Sequence, residues 1–184
     1  MKKFTLMALL ATVLFVQMGW PQARDTAEKP ALQSVYTNLG HGTCRLRKVD
    51  AEGGDSSQVC AGTGGYKLLL LDSDSRMSVT VMSPGAQNYP LKFSEVVTPH
   101  FSEMGKAAEW RVRKQGRSAE PVALIVPLSI IEDPDTGATA LYWIVAKITK
   151  DSACVIGKFK AGAGVKEQVR QTADSASGQP CLTP

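Results

Sequence analysis

Histidine is scarce in this chain: His41 and His100 are the only two in 184 residues. Fifty-nine positions apart, they do not have the spacing with which two helical histidines share a metal ion, so each reads as an exposed loop residue. Cysteine is limited to Cys44, Cys60, Cys154 and Cys181, with no C-x-x-C pair among them, which argues against a zinc site. The phosphate-binding patterns G-x-x-x-x-G-K-[ST] and G-x-G-x-x-G are both missing, so Gly62-Thr63-Gly64-Gly65 and Gly162-Ala163-Gly164 read as tight turns. No serine stands in a G-x-S-x-G elbow, which leaves only a serine triad assembled in space as a hydrolase reading. Asp72-Ser73-Asp74 and Asp133-Pro134-Asp135 lack the downstream glycine and glutamate of a calcium loop and read as turn aspartates. No metal and no organic cofactor is therefore expected.

What is present begins at the amino terminus. Met1-Lys2-Lys3 is basic, Phe4–Met18 is an apolar run, and Gly19-Trp20-Pro21-Gln22-Ala23 ends it with a small residue. That order is the charged, apolar and polar succession of a secretory signal, with cleavage expected after Ala23. The run is shorter than the roughly 20 apolar residues that span a bilayer, which weighs against an uncleaved anchor. No later segment is long and apolar enough to cross a membrane.

Without residues 1–23 the chain keeps 161 residues, enough for one domain with a sizeable core. The whole-chain charge of +4 includes Lys2 and Lys3, so the mature chain is near +2, too mild an excess to imply nucleic acid. An even number of cysteines in an exported chain favours two disulfides. Of the three possible pairings, Cys44–Cys60 and Cys154–Cys181 each close a short local loop, and each contributes about 3 kcal/mol on the chain-entropy model.

Residues 24–33 form a polar lead, and from Ser34 to the end a single domain is expected. Short apolar segments alternate with turn clusters, the pattern of an antiparallel β protein. Cys44, Leu46 and Lys48 share one parity, and Arg45, Arg47 and Val49 the other. Turn residues 51–57 suggest that the first cysteine pair staples a hairpin. Tyr66–Leu71 and the alternation of Met77, Val79 and Val81 predict a second hairpin about Asp72-Ser73-Asp74-Ser75. Leu91–Val97 reads as a short strand, and 98–106 as a helical turn. Ala108, Trp110 and Val112 alternate with Glu109, Arg111 and Arg113, predicting a half-buried strand. Val122–Ile131 and Leu141–Ile148 are apolar without alternation, as in strands covered on both faces. Pro127 cannot donate to a ladder, so a bulge or an edge is expected there. Ala153–Lys160 is one more strand, and Gly164–Ala176 is the single convincing helix, with Val165, Val169, Thr172 and Ala173 on one side. The predicted class is α+β: a mainly antiparallel sandwich or partly open barrel with the C-terminal helix packed on its sheet.

Cys60-x-Gly62-x-Gly64-Gly65-Tyr66, Glu109-Trp110-Arg111, Pro121-Val122-Ala123-Leu124-Ile125 and the tail elements Cys154, Ala173-Asp174 and Pro180-Cys181 together resemble a family of small exported bacterial proteins. The resemblance covers most of the mature chain. It implies export and paired cysteines, and no chemistry, because that family carries no assigned activity.

The one candidate binding feature is basic. Arg45, Arg47, Arg111 and Arg113, joined by Lys114 and Arg117, would form a face for an acidic polymer or envelope protein if their strands are neighbours. The expected function is therefore non-catalytic binding of a macromolecule in the periplasm or outside the cell, with a secreted hydrolase as the alternative.

Overall fold

A computed structural model of the chain describes residues 31–40, 42–50, 54–116 and 118–184. The signal reading of residues 1–23, most of the lead, His41 and Arg117 lie outside the described residues.

The polar lead gives way to strand β1 (Gln33–Asn38), one residue before the expected boundary. The two expected hairpins follow, β2 (Arg45–Val49) with β3 (Ser56–Ala61) and β4 (Lys67–Ser73) with β5 (Arg76–Met82). Asp74 and Ser75 turn the second hairpin with φ of 50° and 59°, the positive values that match the twist of the flanking strands. The disulfide Cys44–Cys60 ties the chain entering β2 to the end of β3.

Residues 88–104 depart from the sequence reading. Asn88–Pro90 is a short strand, β6, on β5. Lys92 then takes a left-handed φ of 50°, and Leu91–Val97 contains the one-turn helix α1 (Phe93–Val96) instead of a strand. Phe93 explains the change. Its backbone N–H donates to the Ser78 hydroxyl at 3.2 Å, and its side chain is fully buried. The helical turn expected over 98–106 is instead strand β7 (Ser102–Met104).

Strands β7 and β8 (Ala107–Gln115) run along one edge of β9 (Ser118–Asp133), with Gly105 and Lys106 as a break between them. Pro127 sits opposite that break. Its carbonyl accepts from Gly105 N–H at 2.8 Å, so its missing N–H faces the same side, where no ladder bond is made. A Cβ on Gly105 would lie 2.5 Å from Pro127 Cγ, so only glycine fits. The expected irregularity at Pro127 is thus carried by the neighbouring strands, while β9 continues through it.

The other edge of β9 pairs with β10 (Ala138–Ile148), and β10 with β11 (Ala153–Lys160). Neighbour order through the sheet runs β1-β8-β9-β7-β5-β4-β3-β2, with β10 and β11 branching from β9; only the β5–β7 pairing is parallel. The sheet curls so that β1 comes up to β3 without pairing with it. Trp110 Nε1 donates to Thr37 Oγ1 at 2.8 Å, and that hydroxyl donates to the Ala61 carbonyl at 2.9 Å, joining β8, β1 and β3.

Strand β9 and the Ile144–Ala146 part of β10 are covered on both faces, while Leu141 is exposed. Leu124, Val126, Leu128 and Ile130 enter the main core with Leu68, Leu70, Val79, Val81 and Trp110. Ala123 and Ile125 point the other way, into a second cluster with Val145, Ile156, Val169, Ala173 and Ala176. The last three belong to helix α2 (Val165–Asp174) and the 3-10 turn Ala176–Gly178. A helix of about ten residues is marginal alone, so this burial, about 1.5–3 kcal/mol for Val169, is what stabilises it. The second disulfide, Cys154–Cys181, returns the tail to β11, where Leu182 N–H donates to the Val155 carbonyl at 2.8 Å. Among the described residues no helix is long and apolar enough to cross a membrane.

Candidate functional site

The four arginines do not assemble into one basic face. Their strands are not neighbours: β2 ends the sheet order, and β8 lies next to its opposite end. Arg45 and Arg47 are exposed on β2. Arg111, 9% exposed, is turned under α2, where its Nε and Nη2 donate to the two carboxylate oxygens of Asp174 at 2.6 and 2.9 Å. Arg113 pairs with Glu120 at 3.2 Å. The physical reason is the helix. Once α2 packs on β9 and β10 beside β8, a charge at position 111 must find a carboxylate or be left unpaired at the helix's edge.

That carboxylate comes with a second pair. Glu109 accepts from Arg170 Nε at 2.9 Å and from the Ser34 hydroxyl at 2.5 Å, and lies 3.7 Å from Arg111 Nη1. Burial pushes the Glu109 carboxyl up, but the hydrogen bonds from Arg170 and Ser34 and the nearby guanidinium charges outweigh it and hold it below its ordinary value. Asp174 raises the Arg111 pKa further, against the opposing effect of burial. Two arginines and two carboxylates thus form a neutral clasp between α2 and the sheet, with Arg170 also reaching the Tyr36 hydroxyl at 3.1 Å. Asp133, the last residue of β9, braces the turn that follows, accepting from Asp135 N–H, Thr136 N–H and the Thr136 hydroxyl. His100 sits exposed between α1 and β7.

The feature with the shape of a site lies at the seam where the curled sheet's ends approach. A cleft of about 850 Å³ opens there between β1 with the loop after it, the β3–β5 sheet, and the β7–β8 break. Ladder partners share a face, so the register places Ser56, Asp72 and Met77 in one row and Gln58, Leu70 and Val79 in the next. Val79 and Leu70 are buried core, and the first row continues that inner face outward into the cleft. Leu39, Met104 and the Gly105-Lys106 step line the opposite wall. A second cavity of about 350 Å³, reaching Phe101 and Ser129, shares Asp72, Met77 and Glu103 with the cleft. Asp72 and Glu103 therefore stand where the two spaces meet.

Strand β2 extends the same face. A bulge at Arg47 shifts the register between Leu46 and Lys48, so Leu46 opposes Gln58 and Val49 opposes Ser56. Leu46 and Val49 thereby share the cleft face, although the sequence alternation puts them on opposite faces. Both are exposed, at 59% and 58%.

Asp72 is the side chain that the sequence reading missed. It was assigned to the turn, but it belongs to β4 and has the parity of Leu68 and Leu70, whose side chains are core. A carboxylate two positions beyond two inward leucines was the available signal. Its Oδ1 is buried and takes no hydrogen bond from any described residue. A carboxylate oxygen buried without a donor is costly, and each one calls for an explanation.

Comparison with protein-family models, with curated proteins and with solved structures finds no match to this chain.

Proposed function

We propose that this is an exported, non-catalytic binding protein of the periplasm or cell exterior, and that the cleft at the seam of its curled sheet holds the bound group. In this reading the sheet serves as a partly open barrel, packed on its outer face by α2 and left open where β1 and β3 fail to pair. The observation that carries it is the cleft's construction. An apolar inner surface (Leu39, Leu70, Met77) runs out to a few convergent polar groups, Ser56, Gln58 and Asp72, one of which has an unpartnered buried oxygen. Apolar walls with a small number of placed polar groups are how ligand sites combine affinity with orientation. Export rests on residues 1–23, and the two disulfides agree with it.

Site-specific photo-cross-linking in the producing cell tests the site. A photoreactive residue at Ser56 should give an adduct of defined mass, and one at Lys114, exposed on β8, should not. No adduct at either position, or equal adducts at both, would remove the cleft as the binding site.

A further inference from the structure

We infer that a second site, on the outer face of the sheet, takes a small monocarboxylate with an apolar or aromatic body and anchors it on Lys166; this goes beyond the cleft reading and does not depend on it. A cavity of about 280 Å³ lies between the start of α2 and strands β8, β9 and β10. The register fixes which face this is. Tyr36 opposes Glu109, Glu109 opposes Ile125 and Ile125 opposes Val145, so this row crosses the face on which α2 packs. Pro127 and Trp143, each two positions along its strand, oppose one another on that same face. Ile125 and Val169, both buried, line the cavity together with Pro127 and the Trp143 ring.

The charges around this cavity do not cancel. Its one carboxylate, Glu109, is already satisfied by Arg170, Ser34 and the nearby Arg111, and the clasp that it forms with Arg170, Arg111 and Asp174 is neutral. Lys166 is the charge left over. Among the described residues its ammonium pairs with no carboxylate, and the contact that positions it is the Trp143 ring, 5.1 Å from Nζ to the ring centre. Lys166 and Arg170 also stand one helical turn apart on α2, a spacing at which like charges repel, so an anion beside them relieves that repulsion. A single uncompensated cation matches a monoanion; the second charge of a phosphate finds no partner here. The Tyr36 hydroxyl accepts from Arg170 Nη2 at 3.1 Å and keeps its own hydrogen to donate to a carboxylate. The body follows from the lining, since aliphatic side chains and an indole ring bury hydrocarbon or aryl surface favourably. At just under the roughly 300 Å³ where ligand pockets begin, the cavity limits that body to about a single ring.

An NMR titration of the disulfide-intact protein purified from periplasm or medium decides it. The Trp143 indole N–H is the reporter, and the indole of Trp110, buried and bonded to Thr37, is the internal reference. Phenylacetate should shift Trp143 saturably and leave Trp110 in place. Phenylacetamide, which has the shape without the charge, and acetate, which has the charge without the body, should each bind at least about tenfold more weakly, and phenethylamine should not bind. Lys166→Gln should lose about tenfold in phenylacetate affinity with no change for phenylacetamide, Lys166→Arg should recover most of the loss, and Lys114→Gln, exposed on β8, should bind as wild type. Tyr36 borders the cleft as well, so Ser56→Trp, which fills the cleft, separates the two sites and should leave phenylacetate binding unchanged. Equal affinity for phenylacetate and phenylacetamide, tighter binding of phenethylamine, unchanged affinity in Lys166→Gln, or no saturable shift of Trp143 with any probe would each overturn the inference. Loss of phenylacetate binding in Ser56→Trp would move the anion into the cleft and overturn it as well.

Discussion

Glu109→Gln tests whether the clasp beneath α2 holds the helix to the sheet. The substitution keeps the side-chain volume and removes one of two negative charges facing Arg111 and Arg170. Breaking a fully buried ion pair by deleting one partner costs about 3–5 kcal/mol, whereas an exposed pair is worth about 0–1 kcal/mol. The clasp lies between these limits: the Glu109 and Arg111 side chains are 13% and 10% exposed, but those of Arg170 and Asp174 are 41% and 40%. Solvent screening of the outer two brings the expected loss to about 2 kcal/mol, or a fall in Tm of about 4–8 °C for a domain of this size. The pH dependence follows from the direction of the Glu109 shift. Its folded-state pKa lies below its unfolded value, so its contribution is complete above the unfolded carboxyl range and is lost as pH falls through the lower folded value. The gap between wild type and Glu109→Gln should be widest near pH 7 and should narrow between about pH 5 and pH 3. Thermal melts followed by circular dichroism at those pH values measure it. A variant within about 0.5 kcal/mol of wild type at pH 7, or a gap unchanged at pH 3, would refute the clasp as a stabilising element.

Three further outcomes are expected. Cys181→Ser should raise hydrogen exchange across residues 161–184 while leaving β4 and β5 as protected as in wild type, because the tail then loses its one covalent tie and is held by Val169, Ala173, Ala176, the clasp and the hydrogen bonds of Gln179 and Leu182; equal protection throughout would make the bridge irrelevant. Gly105→Ala should destabilise the domain by about 1–3 kcal/mol in urea, since its Cβ would press on the Pro127 ring, and a neutral result would mean that β7 and β8 shift freely past β9. Protein recovered from the periplasm or medium should have an intact mass lacking about the first 23 residues, and full-length chain found only in the cytosol would contradict export.

Much of the architecture was legible because local pattern and tertiary environment agree. Ala108, Trp110 and Val112 alternate in the sequence and are fully buried in β8, and the apolar run of β9 and the Ile144–Ala146 part of β10 are covered on both faces as their lack of alternation implied, whereas Leu141 at the start of the β10 run is exposed. The two short-loop cysteine pairings are the ones formed. Where the reading failed, a distant partner decides the local structure. Phe93 is drawn into the core from what looked like a strand. The three-residue β7 exists because Ser102 and Met104 find Ile130 and Leu128 on β9. Arg111 has the parity of an exposed residue, and only the arrival of α2, more than fifty positions later, makes that face an interior one. The cleft was hidden for two reasons. The Arg47 bulge reverses the parity of Val49, and Asp72 follows the apolar rhythm of β4 while resembling its turn. Nothing within Arg45–Arg47 or Arg111–Arg113 shows that Arg111 pairs with Asp174 and Arg113 with Glu120.

Native mass spectrometry of protein purified gently from its producing cells tests the central claim most directly. Wild-type protein should carry a noncovalent adduct of defined mass that is absent from Ser56→Trp, in which the indole fills the cleft beside Gln58 and Asp72, with both disulfides intact in each. The same adduct retained by Ser56→Trp, or a bare mass for both proteins after incubation with the cell's own envelope extract, would contradict the cleft as the site of function.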